Sequence, residues 1–306
     1  MKACGFSPGH ITGFFQICDE SEDPLKKGSR GAGVSVDKGV TTTVEVEPAK
    51  DMRIHIEMNG STSQPVPVSE AVITRMLEFI PSETFEIRVK HEVELPVGCG
   101  FGTSGAGALS LSLALNEALS LGLNSIKVAQ IAHVVEVELH TGLGTVIAET
   151  YGGIEIRTHE GAPGIGHIEI LPRSNDYVVV CLPFGALSTP QYLQNDEARQ
   201  RINERGGMLT DALQGHPTVG NFLDYSRHFA EYIGIITDRI QAVLQATDLT
   251  GITCSTAIFG ENVFTLVQPN QVKEIVAIFE AYKIPEYDVL VMNVDCEGAR
   301  ILNERT

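Results

Sequence analysis

The segment Pro96-Val-Gly-Cys-Gly-Phe-Gly-Thr-Ser-Gly-Ala106 constrains this chain more than any other. It places Gly98, Gly100, Gly102 and Gly105 between an alternating stretch, FEIRVKHEVEL at 85–95, and a long run of small and apolar residues reaching about Leu121. Alternation predicts a strand, and the small-residue run predicts a helix. Glycines at such a junction let the backbone turn through positive φ and approach a ligand without Cβ obstruction. The first N–H groups of the helix have no internal partners and carry the positive end of its dipole, so phosphate oxygens fit there. Thr103 and Ser104 add hydroxyls able to reach a phosphate or a magnesium ion. Pro96, Gly98, Gly100, Gly102, Thr103, Ser104, Gly105 and Ala106 are therefore expected to form a phosphate cradle.

Two other phosphate motifs fit the context poorly. No Lys follows the glycines, as a G-x-x-x-x-G-K-[ST] loop requires. Gly100-Phe-Gly102-Thr-Ser-Gly105 does fit G-x-G-x-x-G, but a dinucleotide fold needs a parallel strand after the helix. Here Asn124-Ser125 opens a second helix instead.

The formal charge of −17 argues against a nucleic-acid surface, which needs Lys and Arg in excess. The six cysteines are scattered without a Cys-x-x-Cys pair, so reduced thiols are expected rather than a disulfide framework. The opening MKACGFSPGHITGFFQIC lacks the apolar core of a signal peptide, and no run of about eighteen apolar residues is present. A soluble cytoplasmic protein with no membrane partner is expected.

Along the chain, 33–47 and 52–58 read as strands, and Ser69 as the N-cap of a short helix. A helix runs from Ser125 to Thr141–Gly142, and strands follow at Tyr151–Thr158, His167–Leu171 and Asp176–Leu182. Three helical stretches between Pro190 and Ala246 precede strands at Gly251–Ile258 and Asn262–Val267, a helix at Gln271–Tyr282 and a strand at Tyr287–Asn293. This order is α+β, with an expected division into residues 1–172 and 173–306.

On the helix from Ser125, His133, Glu136 and His140 share one arc, which suits either a zinc site or a solvated polar face. Pro24–Val36 holds Lys26, Lys27, Ser29 and Arg30 with no acid, so it is either an anion-capturing loop or a solvated hairpin tip. Arg157 ends an expected strand, and its guanidinium can hold a carboxylate through two hydrogen bonds where Lys cannot.

The central segment resembles the GHMP kinases, whose signature is Pro-x-Gly-x-Gly-x-Gly-Ser-Ser-x-Ala, with Thr103 here for the first Ser. Phe6-Ser-Pro-Gly-His-Ile-Thr-Gly13 is similar to their amino-terminal substrate segment, with His10 where many members carry Lys. Cys254–Thr265 resembles their carboxy-terminal motif, though it is poorer in glycine. Within that superfamily, Lys26–Val40 and Ala132–Arg157 look most like the archaeal pantoate kinases. The resemblance implies an amino-terminal ATP-binding domain, a ferredoxin-like carboxy-terminal domain and an active site between them. It implies ATP-dependent phosphorylation of pantoate, with Ser104 and Glu136 as Mg²⁺ ligands and His10, Ser29, His133 and Arg157 around the substrate. A homodimer is compatible with it. Many members carry a catalytic Asp where this chain has Thr145. Thr145 is expected to orient the acceptor hydroxyl, and Glu149, one turn on, to substitute as base. Mevalonate, homoserine or shikimate as acceptor, a nucleotide-dependent oxidoreductase and a non-catalytic metabolite-binding relative remain the alternatives.

Overall fold

A computed structural model describes residues 1–186 and 196–303. In chain order the elements are β1 (Lys2–Cys18), β2 (Gly28–Pro48), β3 (Arg53–Met58), α1 (Pro67–Leu77), β4 (Phe85–Val93), α2 (Thr103–Ala118), α3 (Ser125–Glu138), α4 (Thr145–Tyr151), β5 (Ile154–His159) and β6 (His167–Ile170). Then come β7 (Val178–Gly185), α5 (Asp196–Gly215), α6 (Val219–Ile233), α7 (Asp238–Asp248), β8 (Glu261–Val267), α8 (Val272–Glu280), β9 (Leu290–Asn293) and β10 (Arg300–Leu302).

The first sheet runs β10-β1-β2-β4-β3, with β5 on β2 and β6 on β5. The long β2 divides its partners: Val40–Pro48 pair with β4, and Gly31–Val34 pair with β5. Only β3 and β4 run parallel among these pairs. One face of this sheet is covered by α1, α2 and α3, where Val44, Val46 and Ile87 bury against Ile73, Met76, Leu109 and Leu111. The second sheet, β8-β7-β9, is antiparallel, and α7 and α8 pack on it through Val243, Leu244, Ile275 and Phe279.

The two sheets share a core. Phe14 on β1 stands 6.4 Å from both Phe222 and Phe229 on α6, and Phe222 stands 6.3 Å from Phe264 on β8. Tilted contacts at such spacing add to the area burial of the rings themselves. Past β9, the chain returns to the first sheet, where Cys4 and Phe6 pair with Leu302 and Arg300.

Three expectations need correction. Ser69 does not cap α1: the helix starts at Pro67, and the Ser69 hydroxyl lies 3.1 Å from His91 Nε2. Residues 251–258 form only a bridge, Ser255 to Phe264, because the Ile258 N–H turns away to the Thr12 carbonyl at 3.0 Å. β1 and α4 were not anticipated, because Pro8 and three glycines dilute the alternation of the first and α4 is only seven residues long. The opening of the expected helical run, at 190–195, lies outside the described residues.

Candidate active site

A cavity of about 750 Å³ opens between β1, the glycine loop, the C-terminal end of α3 and the N-terminus of α4. Gly98, Gly100, Gly102, Thr103, Ser104 and Gly105 line it, and so do His10, Ser29, Glu136, Thr145 and Arg157. Gly102 has φ +64° at the N-cap of α2, a left-handed conformation that side chains resist. A Cβ there would also stand 2.6 Å from Thr145 Cγ2 and 2.7 Å from Glu149 Oε1. At Gly105 it would stand 2.9 Å from Glu149 Oε2. Glycine at both places lets α4 pack directly beneath the loop.

Ser104 Oγ donates to Glu136 Oε1 over 2.6 Å, and Thr141 Oγ1 donates to the same oxygen over 2.7 Å. Burial pushes the Glu136 carboxyl above its ordinary range, and the two hydroxyl bonds pull it back. One buried carboxylate, a serine hydroxyl and a row of helix N–H groups form an all-oxygen and amide cradle. That donor set suits a hard divalent cation carried with phosphates.

At the opposite wall, Glu155 Oε1 joins an imidazole and a guanidinium. It accepts from His10 Nε2 at 2.9 Å and is ion-paired with Arg157 Nη1. All three side chains are buried, and Arg157 Nε has no partner. Burial lowers the Arg157 pKa, and Glu155 opposes that shift. A buried guanidinium with an unsatisfied N–H facing a cavity is a natural seat for an anion. Ser29 packs against the same residue's neighbour, its Oγ 2.0 Å from where a Gly144 Cβ would lie.

Some expected residues lie elsewhere. His133 is buried away from the cavity, with Nε2 3.0 Å from the Lys27 carbonyl and 3.3 Å from that of Pro24. It anchors the loop ahead of β2 instead of facing an acceptor. Pro96 and Ala106 flank the loop without lining the cavity. α3 ends at Glu138 and His140 lies beyond it at φ +55°, so the three-residue arc is broken, with Glu136 and His140 lining the cavity and His133 turned from it. Among the described residues no three His, Cys, Asp or Glu side chains are grouped to hold a metal. Arg30 pairs with Asp211, while Lys27 does line the cavity. Glu149 lies below the cavity floor, fully buried, with neither carboxyl oxygen bonded.

Two contributors were missed. Glu155 sits two residues before Arg157 on β5, the period-two spacing that puts both on one face, which could have revealed it. Asn262 donates to the Cys99 carbonyl over 2.7 Å and accepts from the Ala257 N–H at 3.0 Å. It ties the glycine loop to the second sheet across 163 residues, a link no local pattern announces.

Residues 69–153 match the model of the GHMP kinases N terminal domain. The pantoate kinase of Methanocaldococcus jannaschii is 34% identical over 280 residues, which cover 90% of this chain and 96% of that one. The pantoate kinase of Thermococcus kodakarensis is 34% identical over 294 residues, covering 94% and 95%. A solved structure described as a phosphotransferase related to the CoA biosynthesis pathway superposes over the whole of both chains, with a TM-score of 0.90 and 28% identity. No helix among the described residues is long and apolar enough to cross a membrane.

Proposed function

This chain belongs to the pantoate kinase family of the GHMP kinases, and we propose that its cavity transfers the γ-phosphoryl group of ATP to the primary hydroxyl of pantoate, giving 4-phosphopantoate. The observation that carries this reading is that one cavity is lined by both a glycine-loop helix N-terminus and a buried guanidinium with an unpartnered Nε–H. Pantoate pairs a carboxylate at one end with a primary hydroxyl at the other, so both ends of the acceptor find their chemistry.

The amides and hydroxyls of Gly102–Gly105 hold the nucleotide phosphates. Ser104 and Glu136 would hold Mg²⁺, which would supply neutralisation of the phosphate charge when bound. Arg157, fixed by Glu155, takes the pantoate carboxylate, with His10 and Ser29 beside it. Phosphoryl transfer through a loose transition state depends chiefly on such placement.

The test is ADP release by purified protein with ATP, Mg²⁺ and, separately, pantoate, mevalonate, homoserine and shikimate. Pantoate should lead the others by about 100-fold or more in kcat/KM, since each of them also carries a carboxylate but sets its hydroxyl elsewhere, and a misplacement of about 1 Å costs about that much. Preference for another acceptor would overturn the assignment.

A further inference from the structure

The cavity needs somewhere for the acceptor proton to go, and its wall has no carboxylate to spare. Of the carboxylates that line it among the described residues, Glu136 is bonded to Ser104 and Thr141, and Asp19 is paired with Arg199. Thr145, the first residue of α4, does line it, and Glu149 stands one helical turn behind on the same face. Thr145 Cγ2 and Glu149 Oε1 both lie within 2.7 Å of the single point where a Gly102 Cβ would sit. A χ1 rotation of Thr145 exchanges its methyl and its hydroxyl, and no preceding helical turn restricts that rotation at a helix start. That rotation turns the hydroxyl toward the side of Gly102 where Glu149 lies, a carboxyl whose two oxygens are fully buried and without a partner.

We propose that Thr145 and Glu149 form a two-step proton relay, the Thr145 hydroxyl touching the acceptor and the Glu149 carboxylate receiving the proton from behind the cavity wall. As the acceptor oxygen bonds to the γ-phosphorus, its O–H bond breaks and the proton passes to Thr145 Oγ1. The Thr145 proton passes in turn to Glu149, and the bond from the γ-phosphorus to the bridging oxygen breaks with its electron pair leaving on ADP. The proton on Glu149 returns to solvent when the products leave. The groups facing Glu149 fit this task. Burial, together with Glu136 from α3 and Glu155 from β5, raises its pKa well above the ordinary carboxylate value, toward the range a base needs. His10 of β1 approaches the same Gly102 point at 3.4 Å but is engaged with Glu155, as is Arg157. The facing stretch of α2, Gly102–Gly105, is uncharged, and Ser35 of β2 reaches only the Ala148 carbonyl. Asp295, packed against the end of α4, is paired with Arg300 at 2.9 Å.

This relay rests on the cavity being the phosphoryl-transfer site, so unmodified protein is assayed beside every variant. Glu149→Gln and Thr145→Val, both close in shape to the originals, should each lower kcat about 100-fold while the KM for ATP stays within about twofold. The acidic limb of the kcat profile should vanish in Glu149→Gln. Adding Thr145→Asp to Glu149→Gln puts a carboxylate at the wall and should recover about tenfold or more. Wild-type kcat and an unchanged acidic limb in Glu149→Gln would overturn the relay even with the parent fully active on pantoate. Infrared difference spectra against Glu149→Gln need no substrate. A carboxyl band that titrates between about pH 6 and 8 supports the relay, and one that stays protonated beyond that range removes it.

Discussion

Ser104, in the first turn of α2, and Glu136, in the last turn of α3, meet over 2.6 Å across 32 residues of chain. Because Thr141 also donates to that oxygen, the carboxylate is held in place before any cation arrives. If this pair holds Mg²⁺ as proposed, its atoms are assembled in advance, which spares their ordering at the moment of binding.

Ser104→Ala removes one donor from this pair, and turnover should fall about 100-fold or more, the scale of losing one preorganised electrostatic contact. Glu136→Gln should lose a similar amount and regain part of it as Mg²⁺ is raised. Thermal unfolding should change little in either variant. ADP release over a Mg²⁺ series checks this, and near-parental turnover in Ser104→Ala would remove the assignment.

Arg157→Lys keeps a charge but loses the planar fork, and a lost charge-assisted hydrogen bond costs about 1.5–3 kcal/mol. The kcat/KM for pantoate should drop at least about tenfold, with the KM for ATP nearly fixed. Equal losses toward both substrates would mark Arg157 as purely architectural.

His133 predicts a different signature. Its Nε2 contacts the Lys27 and Pro24 carbonyls, so His133→Ala should loosen the loop that carries Lys27 and Ser29 to the cavity. The KM for pantoate should rise, and protease cleavage within 19–28 should quicken in parallel. A raised KM without faster cleavage would mean that His133 acts on the acceptor directly.

His91 gives a pH dependence with a definite sign. It is buried between Thr42 and Ser69, and desolvation lowers its pKa from 6.5 to about 4. The fold therefore favours the neutral ring. Its contribution is intact above pH 6.5 and is lost as pH falls toward 4, reaching about 3 kcal/mol in full. Urea unfolding at pH 7 and pH 4.5 should show this loss, and His91→Gln, though less stable at pH 7, should show a shallower slope. An equal slope in that variant would place the acid sensitivity elsewhere.

What could be read without the structure follows a physical rule. That residues 98–105 line a cavity was legible because consecutive residues build the turn, and Arg157 reaches the same cavity from the strand on which it was expected. His133 was misread: sequence spacing places it on an arc with Glu136, but tertiary packing turns it to the carbonyls of a loop more than a hundred residues away. Asn262 and the Cys99 carbonyl are likewise joined only by the fold. Contacts within one helix turn or one strand are written in periodicity, whereas contacts between sheets are not.

Because β10 completes the edge of β1, and the Phe14 ring is buried only once α6 has docked, the first sheet cannot finish as it emerges from a ribosome. Cys4 waits for Leu302, nearly the whole length of the chain. Until then the strand edge at Cys4–Phe6 and the Phe14 ring stand open, the kind of surface that seeds misassembly. A fragment limited to residues 1–172 should therefore aggregate where the full chain does not. Synthesis of this protein is in effect a closing loop, sealed by a three-residue strand.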